Sequence, residues 1–131
     1  MRNLKILSAM IGIVQIILGL GFLFAPALML KSMNIGAPVA DINYILAMLA
    51  ARFLVYGAGM FIILRDPLRH RFWIDGMIAV QAIDLAAGIY YTASGVIGIS
   101  TSGLAMFNAT LFIILLLLWR PRSGQAGPVN A

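Results

Sequence analysis

The chain has 131 residues, 63% of them apolar and 10% charged, with mean hydropathy +1.02, where an ordinary soluble domain runs near 45–50% apolar and about 25% charged. Nine basic and four acidic residues are too few to clothe a water-soluble globule, so the composition indicates a membrane protein of one small domain. With no cysteine and a single histidine, His70, the chain excludes a disulfide relay, an iron–sulfur cluster, a thiolate zinc site, a cysteine nucleophile, a bis-histidine haem and a histidine-rich di-iron shell.

No charged residue lies between Lys5 and Lys31, and a helix needs about 20 residues to cross a hydrocarbon core of roughly 30 Å. The first span is therefore placed at 4–25. A basic start leading into an apolar run that ends Ala25-Pro26-Ala27 also has the form of a signal peptide, but the run exceeds the ~7–15 residues of a signal core. The segment from Pro26 to Ile42 holds Leu28, Met29, Leu30, Lys31 and Met33 before Gly36 and Pro38. Pro26 suits a first helical turn, so a short interfacial helix is predicted there. The second span, 43–64, is interrupted by Arg52 and stopped by Arg65, Asp66 and Pro67. The third, 72–91, carries Asp75 and Asp84, and the fourth, 101–119, is uncharged and ends at Arg120 and Pro121. The connection Thr92 to Gly103, with Gly95 and Gly98, reads as a flexible loop, and the tail 122–131 as disordered. The fold class is thus an all-α four-helix membrane bundle, one domain over residues 1–121.

Arg2, Lys5, Arg65, Arg69, Arg71, Arg120 and Arg122 fall on one side of these spans and only Lys31 on the other. The positive-inside rule then places both termini in the cytoplasm. Trp73 and Trp119 fall at the cytoplasmic interface and Tyr44, Tyr90 and Tyr91 at the outer one, as aromatic belts require. The net charge of +5 does not indicate nucleic acid, because the basic residues flank spans instead of forming a patch with interleaved aromatics. Their expected partner is the lipid bilayer.

Converting position to depth brings distant residues to one level. Arg52 stands twelve residues before Leu64 and Asp84 twelve after Phe72, so both lie about 18 Å in at a rise of 1.5 Å per residue. Gln15, Gln81 and Asn108 fall near the same depth, giving a midplane polar layer of Gln15, Arg52, Gln81, Asp84 and Asn108. At a helical step of about 100°, Ser8, Gly12, Gln15, Gly19 and Phe22 share a stripe on the first span. Met48, Arg52, Val55, Tyr56 and Gly59 do so on the second, and Met77, Gln81, Asp84, Gly88 and Tyr91 on the third. Asn108 shares its side of the fourth span with Leu104, Phe112 and Leu115. Asp75 points the other way, toward Arg69, Arg71 or water.

Two readings of this layer stand side by side. Arg52 and Asp84 are a buried pair that fixes which helices are neighbours, with the amides satisfying leftover donors and acceptors. Alternatively, the layer lines a pocket with Tyr56, Gly59, Gly88 and Tyr91, in which the pair meets the head of an amphipathic ligand or relays a proton. Met29 and Met33 do not converge enough for a copper site. No phosphate loop, metal-spaced cluster or serine elbow occurs, and His70, flanked by Arg69 and Arg71, has no carboxylate or nucleophile placed with it. No enzymatic constellation is legible, and no internal repeat supports an inverted-repeat transporter.

A basic start, a span ending Phe24-Ala25-Pro26, an outer amphipathic piece ending Met33-Asn34-Ile35-Gly36, and the string from Ala51 and Arg52 through Gly57 and Gly59 to Arg65-Asp66-Pro67 together form a pattern. It resembles the small four-span bacterial membrane proteins of the BphX-like and DoxX-like kind, over about positions 1 to 120. The resemblance implies an integral inner-membrane protein, a quinone or lipid as ligand, and no catalytic residue to carry over. The expected function is an accessory or subunit protein that docks a membrane partner or homo-oligomerises. The alternative is a small dimeric transporter or channel using Asp84 with Arg52.

Overall fold

Inside a bilayer no water is at hand for the backbone, so a spanning segment must close its own hydrogen bonds, and a helix does so. The computed structural model describes residues 1–36 and 42–122, and among these every regular element is helical: α1 (Arg2–Phe24), α2 (Pro26–Ser32), α3 (Ile42–Ile63), α4 (Arg71–Ala93) and α5 (Ile99–Trp119). All but α2 are long and apolar enough to cross a membrane. Pro38 and residues 123–131 of the tail lie outside the described residues.

Local chemistry sets the breaks. Ala25 is held at φ −137° by the proline that follows it, which separates α1 from α2, and Pro26 opens α2 at a position whose N–H would be unbonded anyway. After α3, the Asp66 carboxylate accepts hydrogen bonds from the backbone N–H groups of Leu68 and Arg69 at 3.1 and 3.2 Å, closing a side-chain turn. Gly95, at φ +77°, supplies the left-handed residue after α4. The α4–α5 connection is shorter than the sequence suggested, because α4 continues to Ala93 and α5 begins at Ile99. The Thr92 and Ser102 hydroxyls, 2.6 Å apart, staple the two helices beside that turn.

The helices are arranged as two antiparallel pairs, α1 with α3 and α4 with α5, with sparser contact between the pairs. Glycine makes the first pair tight. A methyl added at Gly12 would lie 3.3 Å from the Gly57 carbonyl oxygen, and one at Gly19 3.2 Å from that of Ala50. This is the close backbone approach that small residues permit between membrane helices. All five residues of the expected α1 stripe, Ser8, Gly12, Gln15, Gly19 and Phe22, are buried.

The pairs join at one end only. Leu4, Leu7 and Ile11 of α1, Met60 and Ile63 of α3, Ile74 and Met77 of α4, and Leu116 of α5 form one core at the end where Met1–Leu4 meet Trp119. At the other end a second core is built from Phe22, Leu30, Leu46, Ala50 and Phe53, all on α1, α2 and α3. No residue of α4 beyond Gln81 is buried. Leu104, on the same side of α5 as Phe112 and Leu115, is 73% exposed although those two pack against the first core. Toward the α2 end the two pairs therefore share no common core.

Trp73, in the first turn of α4, lies between α3 and α4. It covers Gly59 and meets Tyr56 edge-on with ring centroids 5.9 Å apart. Asp75 pairs with Arg71, as one option held, and also with Arg120, which the sequence reading did not foresee; its Oδ1 accepts from Arg120 Nη1 at 3.0 Å. Arg71 Nε stands 3.4 Å from the other oxygen but is not aligned to donate. Asp75 keeps 43% of its side chain exposed, so Asp75→Ala is expected to cost less than about 1 kcal/mol, an effect that shrinks further in salt. Thermal unfolding at two ionic strengths checks this.

Candidate functional site

Arg52 and Asp84 stand where the two helix pairs begin to part. Arg52 Nη1 donates to Asp84 Oδ1 and Nη2 to Oδ2, both at 3.2 Å, the two-pronged geometry that a planar guanidinium offers a carboxylate. Phe53 supports the arginine, with Arg52 Cζ 5.0 Å from the ring centroid, and Phe53 in turn stacks on Phe22 of α1 at 5.9 Å. The stack fixes the height of the guanidinium from the α1 side while α4 supplies the carboxylate. The end-on pairing leaves Arg52 Nε enclosed and without a partner. Both side chains keep about a third of their surface, 33% for Arg52 and 37% for Asp84. The pair is thus neither sealed in the core nor fully exposed, and it stands at the edge of the core that the two helix pairs share.

The three amides stand close to this level. Helix register follows from the glycine contacts: Gly12 against Gly57 sets Gln15 opposite Leu54, and Gly88 against Met106 sets Asn108 opposite Ala86. With Gln81 one turn before Asp84, the five polar residues fall in a slab about 8 Å thick at 1.5 Å per residue. Gln15 and Gln81 are buried, at 4% and 5% exposure, while Asn108 is half-buried. Gln81 Nε2 donates to the Met77 sulfur at 3.4 Å, a weak acceptor. None of the side-chain hydrogen bonds among the described residues involves Gln15 or Asn108.

The residues expected to line a pocket divide. Gly59 lies under Trp73, and a methyl at Gly88 would meet Met106 Cγ at 2.7 Å, so both glycines serve helix contacts. Tyr56 packs on Trp73 and the first core, and Tyr91 is half-exposed, edge-on to Tyr90. Met48 and Val55, grouped with Arg52 by periodicity, are exposed. An open apolar groove of about 640 Å³ runs along Ala86, Ile89, Tyr90, Ala93 and Ser94. At about 100° per residue it lies on the side of α4 away from Asp84 and does not include the charge pair. Among the described residues no group of three or more histidine, cysteine, aspartate or glutamate side chains could hold a metal ion.

The elements therefore define an all-helical bundle with four helices of membrane-spanning length and one ion pair at mid-height. Comparison with family models, with curated proteins and with solved structures finds no match to this chain.

Proposed function

We propose that this chain is an integral membrane accessory or subunit protein that holds the head of an amphipathic molecule, a lipid or a quinone, between its helix pairs. The observation that carries this reading is the Arg52–Asp84 pair, bidentate yet about one-third exposed at the edge of the shared core. Ionisable groups within a membrane-spanning bundle that keep part of their surface free are candidates for ligand contact. The chain is proposed to sit in a bacterial inner membrane with both termini cytoplasmic. Supporting that orientation, its basic residues crowd the end where the termini meet, and Lys31 is the exception at the other.

Native mass spectrometry of the protein extracted gently from its own membrane is expected to find a co-purifying amphiphile at one per chain. A chain that emerges with neither small molecule nor partner returns the pair to a purely structural role. Orientation is checked with single cysteines, which the cysteine-free sequence makes clean: Arg69→Cys is expected to resist an impermeant thiol reagent in intact cells and Ser94→Cys to react. The reverse pattern inverts the topology. The exposure of Asp84 also favours a second reading, a small dimeric transporter coupled through this acid. Flux in proteoliposomes that disappears in Asp84→Asn would select it.

A further inference from the structure

The charges of this chain are segregated by end. Arg52 pairs with Asp84 at mid-height, and Lys31 and Asp41 offset one another in the sequence between α1 and α3. The whole formal net charge of +5 therefore belongs to the end where α1 starts, α3 passes into α4 and α5 stops. Of the cations there, Arg71 and Arg120 share Asp75. The Asp66 carboxylate is turned to the backbone N–H groups of Leu68 and Arg69. Arg2, Lys5, Arg65, Arg69 and Arg122 enter none of the salt bridges among the described residues, and all but the half-buried Lys5 are exposed.

This positive charge adjoins apolar surface. Ile6, Phe72 and Leu118 are exposed, and they stand one or two positions along the chain from Lys5, Arg71 and Arg120. A partner that fits such a rim carries negative charge and hydrocarbon together. A soluble acidic protein or a nucleic acid would meet the cations and leave the apolar side chains uncovered, whereas an anionic phospholipid supplies both halves. Where the start of α1 meets the end of α5, an open crevice of about 300 Å³ is lined by Arg2, Asn3 and Trp119, with Met1 and Leu4. A guanidinium and an amide offer N–H donors to phosphate oxygens. The half-exposed indole is the kind of ring that sits at headgroup level, apolar on its faces and a donor at its nitrogen.

We infer that this end of the bundle is a docking rim for anionic phospholipid, with a headgroup phosphate seated in the crevice at Arg2, Asn3 and Trp119. The inference rests on the reading of the chain as membrane-embedded and is independent of any molecule held at Arg52 and Asp84. Trp73 and Trp119 are the chain's two tryptophans and both stand at this end, so intrinsic fluorescence reports on it. The full chain is reconstituted in vesicles of equal parts phosphatidylcholine and phosphatidylglycerol, with bromines near the headgroup end of the acyl chains of one lipid or the other. Brominated phosphatidylglycerol is expected to quench as though enriched about fivefold over phosphatidylcholine, the effect of about one cation near an anionic surface. Arg2→Gln with Arg122→Gln is expected to bring that ratio close to one, and Arg2→Lys with Arg122→Lys to keep it. Both positions are exposed, so neither variant challenges the fold.

Equal quenching by the two lipids in the parent overturns the inference while the chain remains membrane-embedded, and leaves the rim to a soluble acidic partner. A ratio that survives the paired glutamine changes, or persists undiminished in 1 M salt where the screening length is about 3 Å, overturns the assignment to these cations. Loss of the preference on adding excess glycerophosphoglycerol, which has no acyl chains, replaces the lipid with a free phosphate ester. Quenching by neither lipid overturns the membrane reading itself.

Discussion

Arg52→Met alone and Asp84→Leu alone are each expected to destabilise the bundle by about 3 kcal/mol, and the double replacement to return it to within about 1 kcal/mol of the parent. Each single change leaves one charge without its partner at mid-height of helices of membrane-spanning length, and that orphaned charge is the dominant cost. The double change removes both charges and leaves two apolar side chains of similar length on facing helices. Contact between α3 and α4 is otherwise sparse, and lipid gives packed helices no hydrophobic drive to associate. Little other contact between α3 and α4 therefore offsets the loss of the pair. Reversible unfolding in mixed micelles measures all three variants. Equal damage from the singles and the double contradicts the pairing, because it locates the loss in packing and not in charge.

The second large effect is expected at Gly59. A methyl added there falls within the indole ring of Trp73, so Gly59→Ala must displace the tryptophan from between α3 and α4. Overpacking of this kind costs about 1–3 kcal/mol. The displacement also separates Trp73 from Tyr56, undoing the edge-on contact between the helix pairs. Trp73→Leu in the same chain gives the methyl room, so the double variant is expected to be more stable than the sum of the two single losses implies. Gly103 provides the control. A methyl there meets only Ile99 at 3.5 Å, and Gly103→Ala is expected to be neutral or to stabilise by up to about 1 kcal/mol through helix propensity. A strictly additive double variant at 59 and 73 would show that the glycine serves some purpose other than admitting the ring.

Much of the architecture is legible in residue order because the bilayer imposes a simple rule. Runs such as Ile6 to Leu30 and Leu104 to Leu118 have no charge to solvate, and a backbone in lipid must be helical. The observed helices start and stop within a few residues of the expected spans. Proline and aspartate set the breaks through local chemistry, at Ala25-Pro26 and at Asp66, so they too are visible in sequence. The α4–α5 connection misled because its glycines suggested a longer loop, whereas Thr92 and Ser102 hold helical geometry nearly to the turn. The level of Arg52 and Asp84 was also readable, since two antiparallel helices joined by a short turn convert equal distance from that turn into equal depth.

Lateral arrangement is a different matter. Hydrophobic periodicity, the usual guide to which face turns inward, is weak in helices that are apolar all round, as buried and lipid-facing residues are drawn from the same set. Val55 and Tyr56 are neighbours on the second span, yet Val55 is exposed and Tyr56 packs against Trp73. Asp75 shows the same limit. Its i,i+4 partner Arg71 is local, but Arg120 reaches it only because α5 returns beside α4.

Length, composition and charge order by themselves determined that this chain forms an all-helical bundle of four long apolar helices with an arginine and an aspartate at one depth, because those properties depend on solvent and on distance along a helix. Tertiary structure alone decided that the helices associate as two pairs joined at one end, that Trp73 fills the space over Gly59, and that the ion pair stays partly exposed at the edge of the shared core. Those features follow from side-chain shape and backbone approach between segments far apart in sequence, where the bilayer favours no arrangement over another until the helices pack.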